Sequence, residues 1–368
     1  MNAGKEDNQW RLETPAGTQR LIEIYVYREG AERVTLSTDV SELPSLLEDP
    51  SILVWVDLHA ETHEEKKRVE KILLEQFQFH HLSVEDCIET RNQPKVEAFP
   101  NYLYFIVHGI KPAITSPVNF VTKELDGYLG SNYVVTFHIE AFRSIAAVKQ
   151  QILSSPFICQ RGAAYLLHQI LDQVVDHYMP LVDEFDTVIE EIETRVLDPR
   201  TNDSSVLEEI MDLRRSIARL RRIATRQREV LYRMSHGEFP QIGEHVLPFF
   251  RDVHDHLLRV TDLSENYRDL VAGLVEIHFS VVANKTNDVM KTLAVVSAII
   301  LPLSLIAGIY GMNFGHMPEL GYRYGYYLTL GAMALLAVVL LVYFRRRGWI
   351  FQGERPNKPA AEPDGDDL

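Results

Sequence analysis

In the last quarter of the sequence, side chains that could hold water around a cation recur at helical spacing. Asn287, Met290, Ala294, Ser297, Leu301, Ser304 and Gly308 follow one another by three or four residues, and Asn313 stands just beyond them. The other faces of the same stretch carry Val295, Val296, Ile299, Ile300, Ile306 and Ile309. Amide and hydroxyl oxygens accept hydrogen bonds from water, and the stripe contains no Asp, Glu, Lys or Arg that could relay protons. Neutral oxygen donors suit a hard cation that sheds its water reluctantly, of which Mg²⁺ is the extreme case. The stripe therefore points to passage of a hydrated divalent cation. Small residues on one helix face also serve close helix packing, and that reading stays open here.

The elements that must position this stripe follow from the distribution of apolar residues. Thr292 to Gly315 is an uncharged run, and as a helix it would be about 36 Å long, enough for a hydrocarbon core of roughly 30 Å. A second run, Tyr324 to Phe344, lies between Arg323 and Arg345. Lys285 and Lys291 precede the first run and Arg345, Arg346 and Arg347 follow the second, whereas the connector carries only His316, Glu319 and Arg323. By the positive-inside rule both termini are cytoplasmic. The polar start, MNAGKEDNQW, has no apolar core of a signal peptide, so the residues before the first run are expected to stay where they are made. Two membrane helices per chain cannot enclose a path, so a pore requires rotational assembly of several copies. The competing reading is a soluble protein with two buried core helices.

Composition fits this division. The 368 residues include 37 Lys+Arg and 52 Asp+Glu, a formal charge of −15, with 46% hydrophobic residues. The acidic balance argues against nucleic acid as a partner and leaves cations as plausible ones. The mean hydropathy of −0.10 averages a polar part with two apolar runs. Cys87 and Cys159 form no disulfide framework and no zinc-binding C-x-x-C pair.

Along the chain, residues 1–18 read as a disordered lead and 19–160 as a cytoplasmic α/β domain. Strands are expected at 21–27 and 51–59, at Val96 to Ile110, and at Lys123 to His138 with a turn around Gly127 and Gly130. Helices are expected at Thr62 to Gln78, opened by a Thr62/Glu65 capping box, and at Leu82 to Glu89. Residues 161–248 read as a helical hairpin. Its first helix runs from Ala163 through Val196, with Asp183, Glu184, Asp186, Glu190, Glu191 and Glu193 outward, and a turn at Asp198–Asn202 ends it. The second, Ser205 to Met234, is rich in arginine from Arg214 to Arg228, and mutual pairing of the two charge runs is expected. Residues 249–311 read as one stalk helix about 95 Å long that continues into the first membrane span, with Pro302 inside it. An external loop at 312–323, a second span at 324–344 and a basic then acidic cytoplasmic tail at 345–368 complete the chain. Glu319 could attract cations to the loop. Asp252, His254, Asp255 and His256 resemble a metal cluster, but i, i+2 spacing puts the two histidines on different helix sides, so they read as surface residues. No nucleophile elbow, P-loop or HExxH motif supports an enzyme.

Tyr310-Gly311-Met312-Asn313-Phe314, followed by Met317-Pro318-Glu319-Leu320 and Tyr324-Gly325-Tyr326, resembles the CorA family of magnesium and cobalt transporters, as do Asn284-Lys285-Thr286-Asn287 and Leu82-Ser83-Val84-Glu85-Asp86 with Gln93-Pro94-Lys95. The resemblance covers about residues 20 to 350 and is strongest from Asn284 to Arg347. It implies an α+β membrane protein in a bacterial-type plasma (inner) membrane, a funnel-shaped homopentamer with its pore made by five copies of the first span. It further implies passive influx of hydrated Mg²⁺ and Co²⁺, gated by intracellular Mg²⁺, with Ni²⁺ or Zn²⁺ as possible further ions, lipid as the surroundings and no organic cofactor. Gly311, Met312 and Asn313 would form the outer selectivity ring. Asn287 would form an inner polar ring, Ser297, Leu301, Ser304 and Gly308 would line the middle, and Met290 with Leu293 would close the path by dewetting. Leu293 lies one position away from Ala294 of the stripe. Asp86 with Glu276 of the neighbouring copy would be the regulatory metal pair, and a pentamer would carry about −75 of formal charge for divalent cations to screen. Ser304 replaces a common threonine, and Glu276 a common aspartate, which leaves the geometry of that metal pair open. A zinc-transporting branch of the same superfamily and a non-conducting, membrane-anchored coiled-coil scaffold remain the alternatives.

Overall fold

The computed structural model describes residues 21–89, 92–113, 118–198, 205–313 and 321–349. The expected lead at 1–18, most of the turn at 198–202, Glu319 with the MPEL segment, and the acidic tail lie outside them. Two compact units divide between Glu276 and Ile277.

The first unit is built on a mixed seven-stranded sheet in the order β2-β1-β3-β7-β6-β5-β4. In chain order these strands are β1 (Ile22–Arg28), β2 (Thr35–Ser37), β3 (Ile52–His59), β4 (Lys95–Ala98), β5 (Leu103–Pro112), β6 (Phe120–Leu129) and β7 (Tyr133–His138). All neighbours are antiparallel except β3 and β7, which pair in parallel from Val54↔Tyr133 to His59↔His138. Helices α1 (Leu43–Glu48), α2 (His63–Glu75) and α3 (His81–Ile88) supply Leu43, Leu46, Val69, Leu73, Val84 and Cys87 to a core with Ile24, Val54, Val56, Tyr104, Tyr128 and Phe137. The Thr62/Glu65 capping box opens α2 as its sequence dictates. Helices α4 (Arg143–Ser154), α5 (Phe157–Gln160) and α6 (Ala163–Val175) follow β7, and α6 packs on β5, β6 and β7. Every residue of β3 is therefore buried, as a central strand covered on both faces requires.

Three expectations are corrected. The stretch Val96–Ile110 is two strands, because Pro100 interrupts it and Phe99 N–H closes a tight turn onto the Tyr102 carbonyl at 2.8 Å. Gly127 lies inside β6 rather than in a turn, and a Cβ there would fall 2.1 Å from the Phe105 ring. The helix expected from Ala163 through Val196 breaks at Asp176–His177 into α6 and α7 (Tyr178–Leu197). Pro180 has no N–H to continue the earlier helix but is tolerated in the first turn of a new one.

Helix α8 (Ser205–Ser235) returns antiparallel to α7: Tyr178 Oη lies 3.4 Å from Gln227 Oε1 near one end, and Arg195 binds Glu209 at 2.5 Å near the other. Buried Gln227 also accepts from His108 N–H at 2.8 Å, and Tyr178 donates to the His108 carbonyl at 2.6 Å, which ties the hairpin to β5. The charged runs of α7 and α8 do not pair with each other as expected; the described arginine pairs on α8 go to Asp212, Glu265 and Glu238. Helix α9 (Leu247–Tyr310) begins in this unit and buries Phe250, Val253, Leu257, Val260, Tyr267, Val271 and Leu274, the heptad-like positions.

The second unit holds the rest of α9 and α10 (Gly325–Arg346). Both are long and apolar enough to cross a membrane, and almost none of their apolar length is buried within the chain. Core helices of a soluble protein would be covered, so that alternative fails. Helix α10 ends in a Schellman motif: Gly348 takes φ 71°, its N–H bonds the Arg345 carbonyl at 3.1 Å, and Trp349 N–H bonds the Phe344 carbonyl at 3.0 Å. The Trp349 and Phe344 rings meet at 5.7 Å, the apolar contact that accompanies this cap.

A buried ionic network fastens the sheet of the first unit. Asp57 on β3 accepts from Thr136 Oγ1 at 2.5 Å, and its other oxygen lies 2.5 Å from Lys149 and 3.3 Å from His138. Lys149, from α4, also reaches Glu23 on β1 at 2.6 Å. Burial pushes the Asp57 carboxyl up, but the charges and hydrogen bonds of His138 and Lys149 outweigh it and hold the group below its ordinary value. The resulting stability is present above the ordinary carboxylate pKa and is lost as pH falls through the lowered one. Lys149→Met should therefore destabilise the first unit by about 3–5 kcal/mol, since it strands two carboxylates. A lowered thermal midpoint at neutral pH, partly recovered in Lys149→Met/Asp57→Leu, is the expected result.

Candidate functional site

Within the second unit, α9 has two unlike faces. Val295 is buried, and Ala298, Ile299, Pro302, Leu303 and Ile306 are half-buried, again at spacings of three and four. On α10 the half-buried positions are Thr329, Met333, Leu336, Ala337, Leu340 and Phe344. The roughly opposite side of α9 is uncovered: Asn287, Met290, Leu293, Ala294, Ser297, Leu301, Ser304 and Gly308 are all exposed, Leu301 at 75%. Leu293 belongs to this uncovered side together with Ala294. Thr286, Thr292 and Thr329 bond carbonyls one turn earlier, whereas the side chains of Asn287, Ser297, Ser304 and Asn313 make none of the described hydrogen bonds. The structure thus leaves the polar atoms of the stripe available to something outside the chain.

At its C-terminal end the helix stops at Tyr310. Gly311 N–H is shared between the carbonyls of Ala307 at 3.0 Å and Gly308 at 3.2 Å, and Met312 N–H bonds the Ile309 carbonyl at 3.2 Å. Gly311, Met312 and Asn313 are exposed, with Asn313 the first residue past the turn. A helix C-terminus carries about half a negative charge, so this end attracts cations without a carboxylate. Near the opposite end, Asn284, Asn287, Asp288, Met290, Lys291, Ala294 and Trp349 line an open cleft of about 460 Å³, with Lys291 and Asp288 paired at 2.8 Å.

In the first unit, Asp86 on α3 is already engaged. Lys95 lies 2.5 Å from its Oδ2 and 2.9 Å from Glu97 Oε1, so a cation at Asp86 must displace an ammonium. Behind it, buried Asp126 accepts from Tyr104 Oη at 2.7 Å, and burial with the nearby Glu124 charge raises its carboxyl well above the ordinary value. Glu276 is exposed on α9.

The sequence pattern of the CorA-like Mg²⁺ transporter protein family matches residues 51–346. The chain belongs to this family. The cobalt/magnesium transport protein CorA of Thermotoga maritima is 34% identical over 331 residues, which cover 89% of this chain and 92% of the relative. Its counterpart in Methanocaldococcus jannaschii is 26% identical over 81% of this chain and 92% of its own length. The complete structure of the CorA magnesium transporter from Methanocaldococcus jannaschii superposes with a TM-score of 0.76 at 22% identity, covering 90% of this chain and 99% of that one. This CorA-family chain therefore shares the full-length fold: a soluble α/β part, a long helix and two C-terminal apolar helices.

One group in this CorA-family chain is not visible from local spacing. Asp172 and Asp176, four residues apart at the end of α6, meet His256 of α9, and one donor atom from each lies within 4.8 Å of the others. His256 Nδ1 is 4.0 Å from Asp176 Oδ1. His256 is exposed, as expected of a surface residue, and it faces two aspartates that come from a helix some 80 positions earlier in the chain. The i, i+4 aspartates were the only hint available. Two carboxylates and an imidazole suit a divalent ion of the Co²⁺ or Mn²⁺ type, and Arg259, which lines the adjacent cavity of about 200 Å³, is the competing charge.

Asp172 is half-buried, and burial, followed by the charge of Asp176, pushes its carboxyl up to about 6. Its contribution to stability is full below the ordinary value of 3.8 and is lost as pH rises through the raised one. A bound cation would replace the missing proton. Calorimetric titration of the full-length protein with Co²⁺ should give affinity about tenfold weaker at pH 5 than at pH 7. Asp172→Asn should bind Co²⁺ more weakly at pH 7, and an affinity equal to wild type in this variant would remove the residue from the site.

Proposed function

We propose that this CorA-family chain forms a homopentamer in a bacterial-type plasma membrane, both termini cytoplasmic, and conducts hydrated Mg²⁺, and also Co²⁺, passively inward. The observation that carries the reading is the uncovered stripe of α9, whose unpartnered amides and hydroxyls end at Gly311-Met312-Asn313. Two relatives named as cobalt/magnesium transport proteins support the choice of ion.

In this mechanism five copies of the stripe surround a water-filled path. Mg²⁺ gives up its water only at high cost, so a filter for it must bind the hydrated ion through oxygen acceptors rather than strip it. Asn313 side chains, with the carbonyls of Gly311 and Met312, act in that way at the outer end. Ser304, Gly308 and Ser297 leave room for the hydrated ion, Asn287 forms the inner polar ring, and Met290 and Leu293 close a dry constriction between them. Passage needs no enzyme step and follows the electrochemical gradient. Intracellular Mg²⁺ bound at Asp86 and Glu276 between neighbouring copies holds the path closed, and its loss frees the charge repulsion of the acidic parts.

Mg²⁺ uptake in a transport-deficient cell should fall by about tenfold or more in Asn313→Ala, the loss expected when one ring of well-placed acceptors is removed. Uptake equal to wild type would overturn the pathway. The same flux assay with Co²⁺, Ni²⁺ and Zn²⁺ tests the ion preference, and a Zn²⁺ flux exceeding that of Mg²⁺ would reassign it. In Asp86→Ala/Glu276→Ala, influx should persist at high internal Mg²⁺. Unaltered inhibition would exclude this pair as the sensor.

A further inference from the structure

We propose that the acidic face of α7 docks on the basic face of α8 of a neighbouring copy of this chain, so that complementary charge ladders join adjacent subunits. The inference rests on the oligomeric reading above and names the surface that holds the copies together outside the membrane helices.

On α7, Asp183, Asp186, Glu190 and Glu193 are exposed at spacings of three and four, a row about 15 Å long. On α8, Arg215, Arg219, Arg222 and Arg226 are exposed at the same spacings over about 16 Å. Like charges one turn apart repel, so each row is unfavourable to its own helix unless an opposite row faces it. Within the chain the two rows do not meet. Arg215 pairs with Asp212 of its own helix, and Arg219 donates to the Phe120 carbonyl at 3.0 Å and lies over the Phe120 ring. Asp186 receives the Tyr267 hydroxyl. The side chains of Asp183, Glu190, Glu193, Arg222 and Arg226 make none of the described hydrogen bonds or ion pairs. Two ladders of opposite sign and equal length therefore stand on one hairpin without engaging each other.

An acidic patch that meets a basic patch of the next copy is a head-to-tail contact, the kind that closes into a ring. Rotation about an axis along the helices preserves their directions, so α7 and its neighbour's α8 run antiparallel, as α7 and α8 do within the chain. Asp183 then stands opposite Arg226, and Glu193 opposite Arg215. Such exposed pairs steer and register the subunits, and they weaken as salt rises.

The test uses the full-length protein in mild detergent, with oligomeric state read by native mass spectrometry at low and high salt. Asp183→Lys/Asp186→Lys and, separately, Arg222→Glu/Arg226→Glu, which lie opposite each other in this register, should each raise the dissociated fraction about tenfold at low salt, as several lost surface pairs would. The fourfold variant, which exchanges the charges, should restore assembly. A second readout is an interchain disulfide in Asp183→Cys/Arg226→Cys, with little background because Cys87 and Cys159 are buried. A wild type that is monomeric overturns the oligomeric reading itself. A pentamer indifferent to both reversals, or a fourfold variant no better than either parent, overturns the ladder alone, leaving the acidic row to free cations.

Discussion

In hydrocarbon, a polar group without a partner costs several kcal/mol, and this constraint organises the C-terminal part of the molecule. Helix α9 carries amides and hydroxyls along one side of an otherwise apolar stretch, and the chain offers nothing to cover them. Its other side is partly covered at Val295, Pro302 and Ile306. A single copy in a bilayer would leave the stripe facing lipid; water between several copies satisfies it. In the proposed assembly the same atoms would face that water and serve as acceptors for a hydrated ion.

The constraint also explains why the stripe from Asn287 to Gly308 carries no carboxylate. An ionised group at the bilayer centre costs far more than an amide, and it would hold a divalent ion too firmly to release it. Among the described residues, every acid except Asp288 lies in the first unit. There they are treated in three different ways. Asp57 is buried but ionised because His138 and Lys149 surround it. Asp126 is buried beside other acids, and its carboxyl is pushed well above the ordinary value. Asp172 lies between these extremes, pushed up to about 6, and is the one suited to exchange a proton for a cation near neutral pH.

Much of this was legible in the sequence, for identifiable reasons. The apolar runs, the stripe from Asn287 to Gly308 and the capping box at Thr62 are local patterns, set by helix period and by hydrogen bonds three residues apart. The break before Tyr178 was missed although Pro180 announces it, because the apolar spacing runs through the break without a change of phase. Gly127 looked like a turn residue, yet its lack of a side chain answers to Phe105 on the adjacent strand, a contact no local window contains. The Asp172–Asp176–His256 group was illegible for the same reason. Pairing between the charged runs of α7 and α8 failed as an expectation because sharing a hairpin does not determine which sides of two helices face each other.

The Schellman cap that ends α10 bears on where the pathway sits in the membrane. It stops the helix within two residues of Arg346 and locks the Trp349 ring against Phe344, so an indole and three guanidinium groups are held at one fixed level. Indoles favour the headgroup layer and arginines the water beyond it, which makes this end a vertical anchor. Trp349 also borders the cleft at Asn287 and Lys291. In the proposed assembly the anchor would set the height of the Asn287 ring relative to the lipid. A bilayer of different thickness would then be accommodated at the Asn313 end, and the outer mouth, rather than the inner ring, would sense it.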